Sequence, residues 1–235
     1  MTETSAPRTA RAIAREQLTR AILDNARQQL AKVGPAQLSL RAVARDLGMS
    51  SSAVYRYVAS RDDLLTALII EAYDELGEAA ERADAAVARR ASYALRWEEA
   101  CYAVRAWALA HPHDFALLYG SPVPGYAAPR DTVTPASRVT RVLIGIWIDA
   151  TSAGIRPAVP QLPVSRRLHE AIAGLRDFSE GALDDATVLI LLRSWSVVIG
   201  TLTLELFGHI AGAVDDYDAY FEHVVKRLTV ELGLR

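Results

Sequence analysis

Residues 38–65 read LSLRAVARDLGMSSSAVYRYVASRDDLL, a spacing that allows two short helices, a tight turn between them and the start of a third. Leu38 followed by Ser39 has the form of a hydrophobic staple and N-cap, with the Ser39 hydroxyl expected to accept from first-turn amides and Leu38 to pack on Val43. The same pattern returns eleven residues later, where Met49 precedes Ser50 and Val54 takes the place of the staple partner. Gly48 lies between the two helix starts and can enter the left-handed region without a Cβ penalty, so it ends the first helix sharply. That helix turns Val43, Ala44 and Leu47 inward and Arg41, Arg45 and Asp46 outward.

The second helix is expected from Ser51 to about Val58. Val54 and Val58 recur four apart and form its inner face, which leaves Ser51, Ser52, Tyr55 and Tyr57 outside or at the edge. A helix–turn–helix unit of this kind is suited to laying its second helix in a DNA groove. Small residues such as Ser50, Ser51, Ser52 and Ala53 allow close approach to base edges, and tyrosine hydroxyls can donate to phosphate oxygens. Taken alone, Tyr55 and Tyr57 would be half-buried packing residues; the pattern around them favours contact with DNA.

Charge is distributed to match. Residues 1–61 hold ten Arg or Lys and four Asp or Glu, a net of +6, whereas residues 62–235 carry a net of −8. A basic head on an acidic body fits a protein that meets a polyanion at one end. Arg8 and Arg11 fall in a polar arm, residues 1–14, which either reaches along DNA or serves as a solubilising tail.

The turn unit resembles the DNA-binding domain of the TetR family of bacterial transcriptional repressors. The matching residues are Gly48, Met49, Ser50, Ala53, Val54, Tyr55, Arg56, Tyr57, Val58, Ser60, Arg61, Leu64 and Leu65, within a likeness covering roughly residues 15–70. Two departures stand out: Val58 sits where Phe is commoner, and Arg61 replaces the usual Lys while keeping the charge for phosphate. Arg41 falls where some members read guanine, a role that suits a bidentate guanidinium; the alternative is a solvated surface arginine. The resemblance implies double-stranded operator DNA as partner, contacted by Ser39, Arg41, Ser50, Ser51, Ser52, Ala53, Tyr55, Tyr57 and Arg61.

Upstream, Leu18, Ile22, Ala26 and Leu30 mark a bracing helix that closes at Gly34 and Pro35. Residues 15–61 thus form a three-helix DNA-binding domain. Downstream, Asp62 and Asp63 open a connector helix to about residue 81, their charges suiting its positive end. The remainder, residues 62–235, is rich in Ala and Leu and poor in alternating β-branched runs, so the expected class is all-α. Helices are expected over 81–111 and 136–153, separated by a Pro-rich break, residues 120–135.

The segment AWALAHPHDFALLYGSPVPGYAAP resembles the C-terminal ligand-binding domain of a branch of the same family common in actinobacteria. It implies a cavity for a small-molecule effector and a dimer interface. Trp97, Cys101, Phe115, Tyr119 and Trp147 are the candidate lining, with His111, Arg105 or Asp149 as polar groups and the Pro-rich break at the entrance. Aromatic residues at helical spacing equally fill ordinary cores.

The last two helices, about 185–209 and 217–232, are candidates for a four-helix contact between two copies through Trp195, Ile199, Leu202, Phe221, Val224 and Leu228, the first helix being apolar nearly all round. The alternative is that both fill the core of one chain.

Other classes find little support. The N-terminus is polar where a secretory leader needs an apolar core of about 7 to 15 residues, and residues 195–204 fall short of the roughly 20 needed to cross a bilayer, so a cytoplasmic protein without membrane contact is expected. Cys101 is the single cysteine, and no Cys/His cluster has metal-ligand spacing. No metal or cofactor is expected. Glu98 with Glu99 and His111 with His113 are the only enzyme-like pairs, and they lack an accompanying nucleophile and base. The expected function is a ligand-responsive repressor; a DNA-binding regulator without a ligand is the alternative, and a helical enzyme a remote one.

Overall fold

The computed structural model describes residues 9–160, 162–178 and 181–235. Among them the chain is all-α, with helices α1 Ala10–Val33, α2 Leu40–Asp46, α3 Ser51–Val54, α4 Arg61–Ala86, α5 Tyr93–Ala110, α6 Pro112–Tyr119, α7 Val133–Ala136, α8 Arg138–Ser152, α9 Arg166–Ala171, α10 Ala173–Phe178, α11 Asp185–Leu206 and α12 Tyr217–Glu231. α1 starts at Ala10, capped by the Thr9 hydroxyl, which accepts from the Ala12 amide at 3.3 Å. Arg11 therefore belongs to a helix and not to a free arm; Arg8 lies outside the described residues.

The chain forms two compact units, and they do not divide at residue 61. The first comprises the described residues up to Ala72 together with His113–Val133. Its core joins Ile22, Leu23 and Ala26 of α1 to Leu40, Val43 and Ala44 of α2, to Val54 and Val58, and to Leu64, Leu65 and Leu68 of α4. Leu117, Val123 and Tyr126, from α6 and the Pro-rich break, pack on the same core. Asp114 is buried there with Arg27 Nε at 3.4 Å, and the Tyr126 and Thr66 hydroxyls meet at 2.9 Å. The segment around Phe115 forms a two-turn helix, α6, with a proline at its first position, where no intrahelical N–H bond is lost.

The second unit comprises Tyr73–Pro112 and Thr134–Arg235. α5 packs against α8, α11 and α12, and α11 also meets α8, α10 and α12. Trp97, Cys101 and Val104 of α5, Ile146 and Trp147 of α8, Val198 and Leu202 of α11, and Phe221 and Val225 of α12 are buried together. A single helix over 81–111 does not form. α4 continues to Ala86, and residues 87–92 break the path before α5. Arg90 explains the stop, because its guanidinium donates to the Asp84 carbonyl, an acceptor freed at the helix end. Arg96, buried, then binds the Asp84 carboxylate at 2.6 Å and Asp149 at 2.7 Å, tying α4, α5 and α8 together.

Taken whole, α11 spans 22 residues and is long and apolar enough to cross a membrane by length and composition. Its side chains argue for a packed helix. Glu205 on α11 receives both arms of the Arg105 fork, at 2.7 and 3.0 Å, and the inward residues Val188, Val198 and Leu202 are buried.

Candidate functional site

The turn between α2 and α3 forms as its residues require. Gly48 has φ +64°, and the Met49 amide reaches back to the Ala44 carbonyl at 2.8 Å, closing α2 with the bond expected of a left-handed glycine stop. Ser50 caps α3, its hydroxyl accepting from the Ala53 amide at 3.3 Å and lying 3.2 Å from that of Ser52. Leu38 and Val43 are both buried, as the staple requires. Ser39 differs from expectation: it has the extended backbone of an N-cap, but its side chain makes no capping bond. Its contribution at the helix start is the backbone carbonyl, which accepts from the Val43 amide at 3.0 Å.

α3 proper is one turn, shorter than the expected 51–58. Beyond Val54 the backbone tightens, with the Arg56 and Tyr57 amides bonding three residues back. This winding separates the two tyrosines. Tyr55 is 45% exposed, whereas Tyr57 packs partly on the core of the first unit with the Arg15 guanidinium 5.5 Å from its ring centroid. Ser52 is exposed, Ser51 and Ala53 are half-buried, and Arg41, Arg45 and Arg56 are exposed. Arg56 carries a cation between the tyrosines and was missed among the candidate contacts, although its place in the sequence motif was a usable signal.

Arg61 requires a correction. Expected at a phosphate, its guanidinium is instead spent within the first unit, donating to the carbonyls of Pro35 at 2.9 Å, Ala36 at 3.2 Å and Leu38 at 3.2 Å. These oxygens belong to the turn that joins α1 to α2, whose carbonyls converge on a planar donor. Arg61 fastens the end of that turn to the start of α4.

The second unit contains an apolar cavity of about 180 Å³, walled by Trp97 of α5, Thr140, Leu143 and Ile144 of α8, Gly174 and Leu175 of α10, Leu183, and Val188, Leu191, Leu192 and Trp195 of α11. Among the described residues, none that lines it is charged. Of the five expected lining residues, Trp97 alone is in this wall. Cys101 and Trp147 are buried in the core beside it, and burial pushes the Cys101 thiol pKa upward, which keeps the thiol protonated and inert. Phe115 and Tyr119 are in the first unit, their rings 5.1 Å apart. The Pro-rich break, packed on the core of that unit through Val123 and Tyr126, does not border the cavity either. The three polar candidates are also engaged elsewhere, Arg105 with Glu205 and Asp218, Asp149 with Arg96, and His111 stacked on Trp107.

The six candidate interface residues separate in the same way. Leu202, Phe221 and Leu228 are buried within the unit's own core, and Trp195 lines the cavity. Ile199 and Val224 remain half-buried. The outward apolar residues on these helices are instead Leu192, Val197, Leu204, Tyr220 and Val230, with Phe207 just past α11.

Family models match both parts of the chain. The model of the bacterial regulatory proteins, tetR family, covers residues 22–68, and the tetracyclin repressor-like C-terminal domain covers residues 97–228. The chain belongs to the TetR family. HTH-type transcriptional regulators of Mycobacterium bovis and Mycobacterium tuberculosis are 42% identical to it over 228 residues, 94% of each chain. Among solved structures, the regulatory protein SCO4313 superposes with a TM-score of 0.71 at 32% identity, covering 95% of this chain and 98% of its own. A protein of unknown function from Rhodococcus sp. RHA1 has the same fold, with a TM-score of 0.69 at 24% identity over 99% of this chain and all of its own. This TetR chain is thus a helix–turn–helix transcriptional regulator and not an enzyme.

Proposed function

We propose that this TetR protein is a ligand-responsive repressor, located in the cytoplasm, that binds an inverted-repeat operator as a homodimer and releases it when a small molecule occupies the α5–α8–α10–α11 cavity. The observation that carries the reading is the presentation of α3. Ser52, Tyr55 and Arg56 are exposed around a capped helix start, beside Arg41 and Arg45, so hydroxyls and guanidinium groups face outward from a basic head. Ser50, Ser51, Ser52 and Ala53 meet base edges, Arg41 reads one base pair, and Tyr55, Tyr57 and Arg56 hold phosphates. Dimerisation is through the outward faces of α11 and α12, where a second copy covers Val197, Leu204 and Tyr220.

The effector acts through α8. This helix contributes Thr140, Leu143 and Ile144 to the cavity wall, and its first residue, Arg138, binds Asp74 at 2.8 Å and Glu81 at 2.6 Å on α4. α4 runs unbroken from Arg61 to Ala86 and contributes to both units. An effector changes DNA binding only to the extent that it prefers the released state, and DNA then weakens effector binding by the same factor. The modest size of the cavity, below the roughly 300–1,000 Å³ common for ligand sites, favours as a second reading a regulator that works without an effector.

Footprinting on the DNA upstream of the protein's own coding sequence tests the operator reading. The expected result is two protected half-sites with centres about 34–36 Å apart, one helical turn. Protection indifferent to sequence would refute it.

A further inference from the structure

The described wall of the α5–α8–α10–α11 cavity offers a ligand mostly carbon. It consists of aliphatic side chains, the Trp97 and Trp195 rings, Gly174, and Thr140, whose hydroxyl donates to the Ser137 carbonyl at 2.9 Å. Gly174, Leu175 and Leu192 are the wall residues that are also exposed, so the cavity reaches the surface between α10 and α11 at an uncharged edge. The cations next in sequence to these two leucines are engaged elsewhere: Arg176 binds Asp185 at 3.0 Å and the His169 carbonyl at 2.9 Å, and Arg193 binds Glu231. A charged group placed in this wall would lose water and gain no partner of opposite sign.

Size sets the scale. An apolar cavity of about 150 Å³ holds benzene, and this one, at about 180 Å³, has room for roughly one or two further carbons. Burial of hydrocarbon surface is then the driving force for binding. We infer that the cavity binds an uncharged, compact, hydrocarbon-like molecule of alkylbenzene size, selected by how much carbon it buries and not by a polar anchor. The inference rests on the reading of this cavity as the effector site, and it gives that effector its chemical class.

Calorimetry on the full-length protein with benzene, toluene, ethylbenzene and butylbenzene, and with benzoate and benzylammonium, tests this class. Affinity is expected to rise about fourfold with each carbon from benzene to ethylbenzene, the equivalent of about 0.8 kcal/mol per buried CH₂. It is expected to level off at butylbenzene, whose outer carbons stay in water. Both ions are expected to bind at least about a hundredfold more weakly than ethylbenzene. Ile144→Ala enlarges the cavity on its α8 side and is expected to let affinity go on rising through butylbenzene. Should that variant fold poorly, the wild-type series decides without it. No binding of ethylbenzene, an affinity indifferent to carbon number, or either ion binding as tightly as ethylbenzene would overturn the inference, as would a folded Ile144→Ala that levels off where the wild type does.

Operator binding measured with saturating ethylbenzene separates the ligand class from the effector reading. The expected result is operator affinity weakened about tenfold. Ethylbenzene bound with operator affinity unchanged would leave the class standing and refute the cavity as an effector site. Benzoate that displaces ethylbenzene and releases the operator would overturn the class and leave the effector reading standing.

Discussion

Arg138 lies directly across Gly77: a Cβ added at residue 77 would fall 2.5 Å from the Arg138 Cβ and 2.9 Å from its Nε. The absence of a side chain on α4 is what lets α8 approach closely enough for the guanidinium to reach Asp74 and Glu81. Because the clash involves the root of the Arg138 side chain, Gly77→Ala must displace the start of α8, offsetting the roughly 1 kcal/mol that alanine adds in a helix. For a compound that occupies the cavity, the ratio of operator affinities without and with it is expected to fall toward one in Gly77→Ala and in Arg138→Met. Calorimetry with and without DNA reads this ratio; a ratio equal to that of the wild type in both variants would exclude α8 as the transmitter.

Arg61 and the residues of α3 should separate cleanly on DNA. Arg61→Ala removes three charge-assisted donations, and a loss of about 1 to 3 kcal/mol in the stability of the first unit is expected, read by thermal unfolding. The salt dependence of operator binding should keep its slope, because no phosphate contact is lost. Arg56→Ala should instead weaken binding on every sequence and flatten that slope, whereas Tyr57→Phe should weaken binding with the slope kept, because a neutral hydroxyl releases no counterion. Arg41→Ala should relax preference at one base pair per half-site, by about 1 to 3 kcal/mol for a bidentate contact. A flattened slope in Arg61→Ala would restore it as a phosphate ligand.

Arg96 should dominate the stability of the second unit. Its side chain is buried between Asp84 and Asp149, and Arg96→Met leaves the half-buried Asp84 carboxylate with Arg90 as its remaining cation, a change expected to cost about 1 to 3 kcal/mol. Burial alone would raise the Asp84 pKa, but the hydrogen bonds from Arg96 and Arg90 outweigh it and hold the carboxyl below its ordinary 3.8. The stabilisation is therefore complete above that value and is lost as pH falls through the lower, folded value. Arg96→Met should flatten the acid limb of stability against pH; an unaltered limb would assign that dependence to other carboxylates.

For the dimer, the two classes of position predict different failures. Val197→Glu and Tyr220→Glu place a charge on the outward faces of α11 and α12, so sedimentation should show folded monomer with weakened operator binding. Leu228 is only 3% exposed within its own chain, and Leu228→Glu should instead unfold it. An intact dimer in both Val197→Glu and Tyr220→Glu would remove these faces from the contact.

The head was legible because its determinants are local. The Gly48 stop and the Ser50 cap act within five residues, and the Leu38–Val43 staple spans the same distance. The anchoring of Arg61 was not legible, since it depends on carbonyls 23 to 26 residues away that converge only once α1 and α2 have packed. The cavity was misread for a related reason. Aromatic spacing cannot tell that Phe115 and Tyr119 belong to a segment that Asp114–Arg27 and Tyr126–Thr66 hold in the first unit. Nor does it reveal that a short helix such as α10 brings Gly174 and Leu175 to the same cavity wall as Trp97.

The most direct test is the affinity of the purified protein for a duplex selected from a random pool, set against a scrambled duplex of equal length and composition at physiological salt. A TetR regulator reading bases through α3 should enrich an inverted repeat and prefer it by at least about a thousandfold, with two protomers per duplex. A ratio near one, or enrichment without two-fold symmetry, would contradict operator recognition by paired α3 helices.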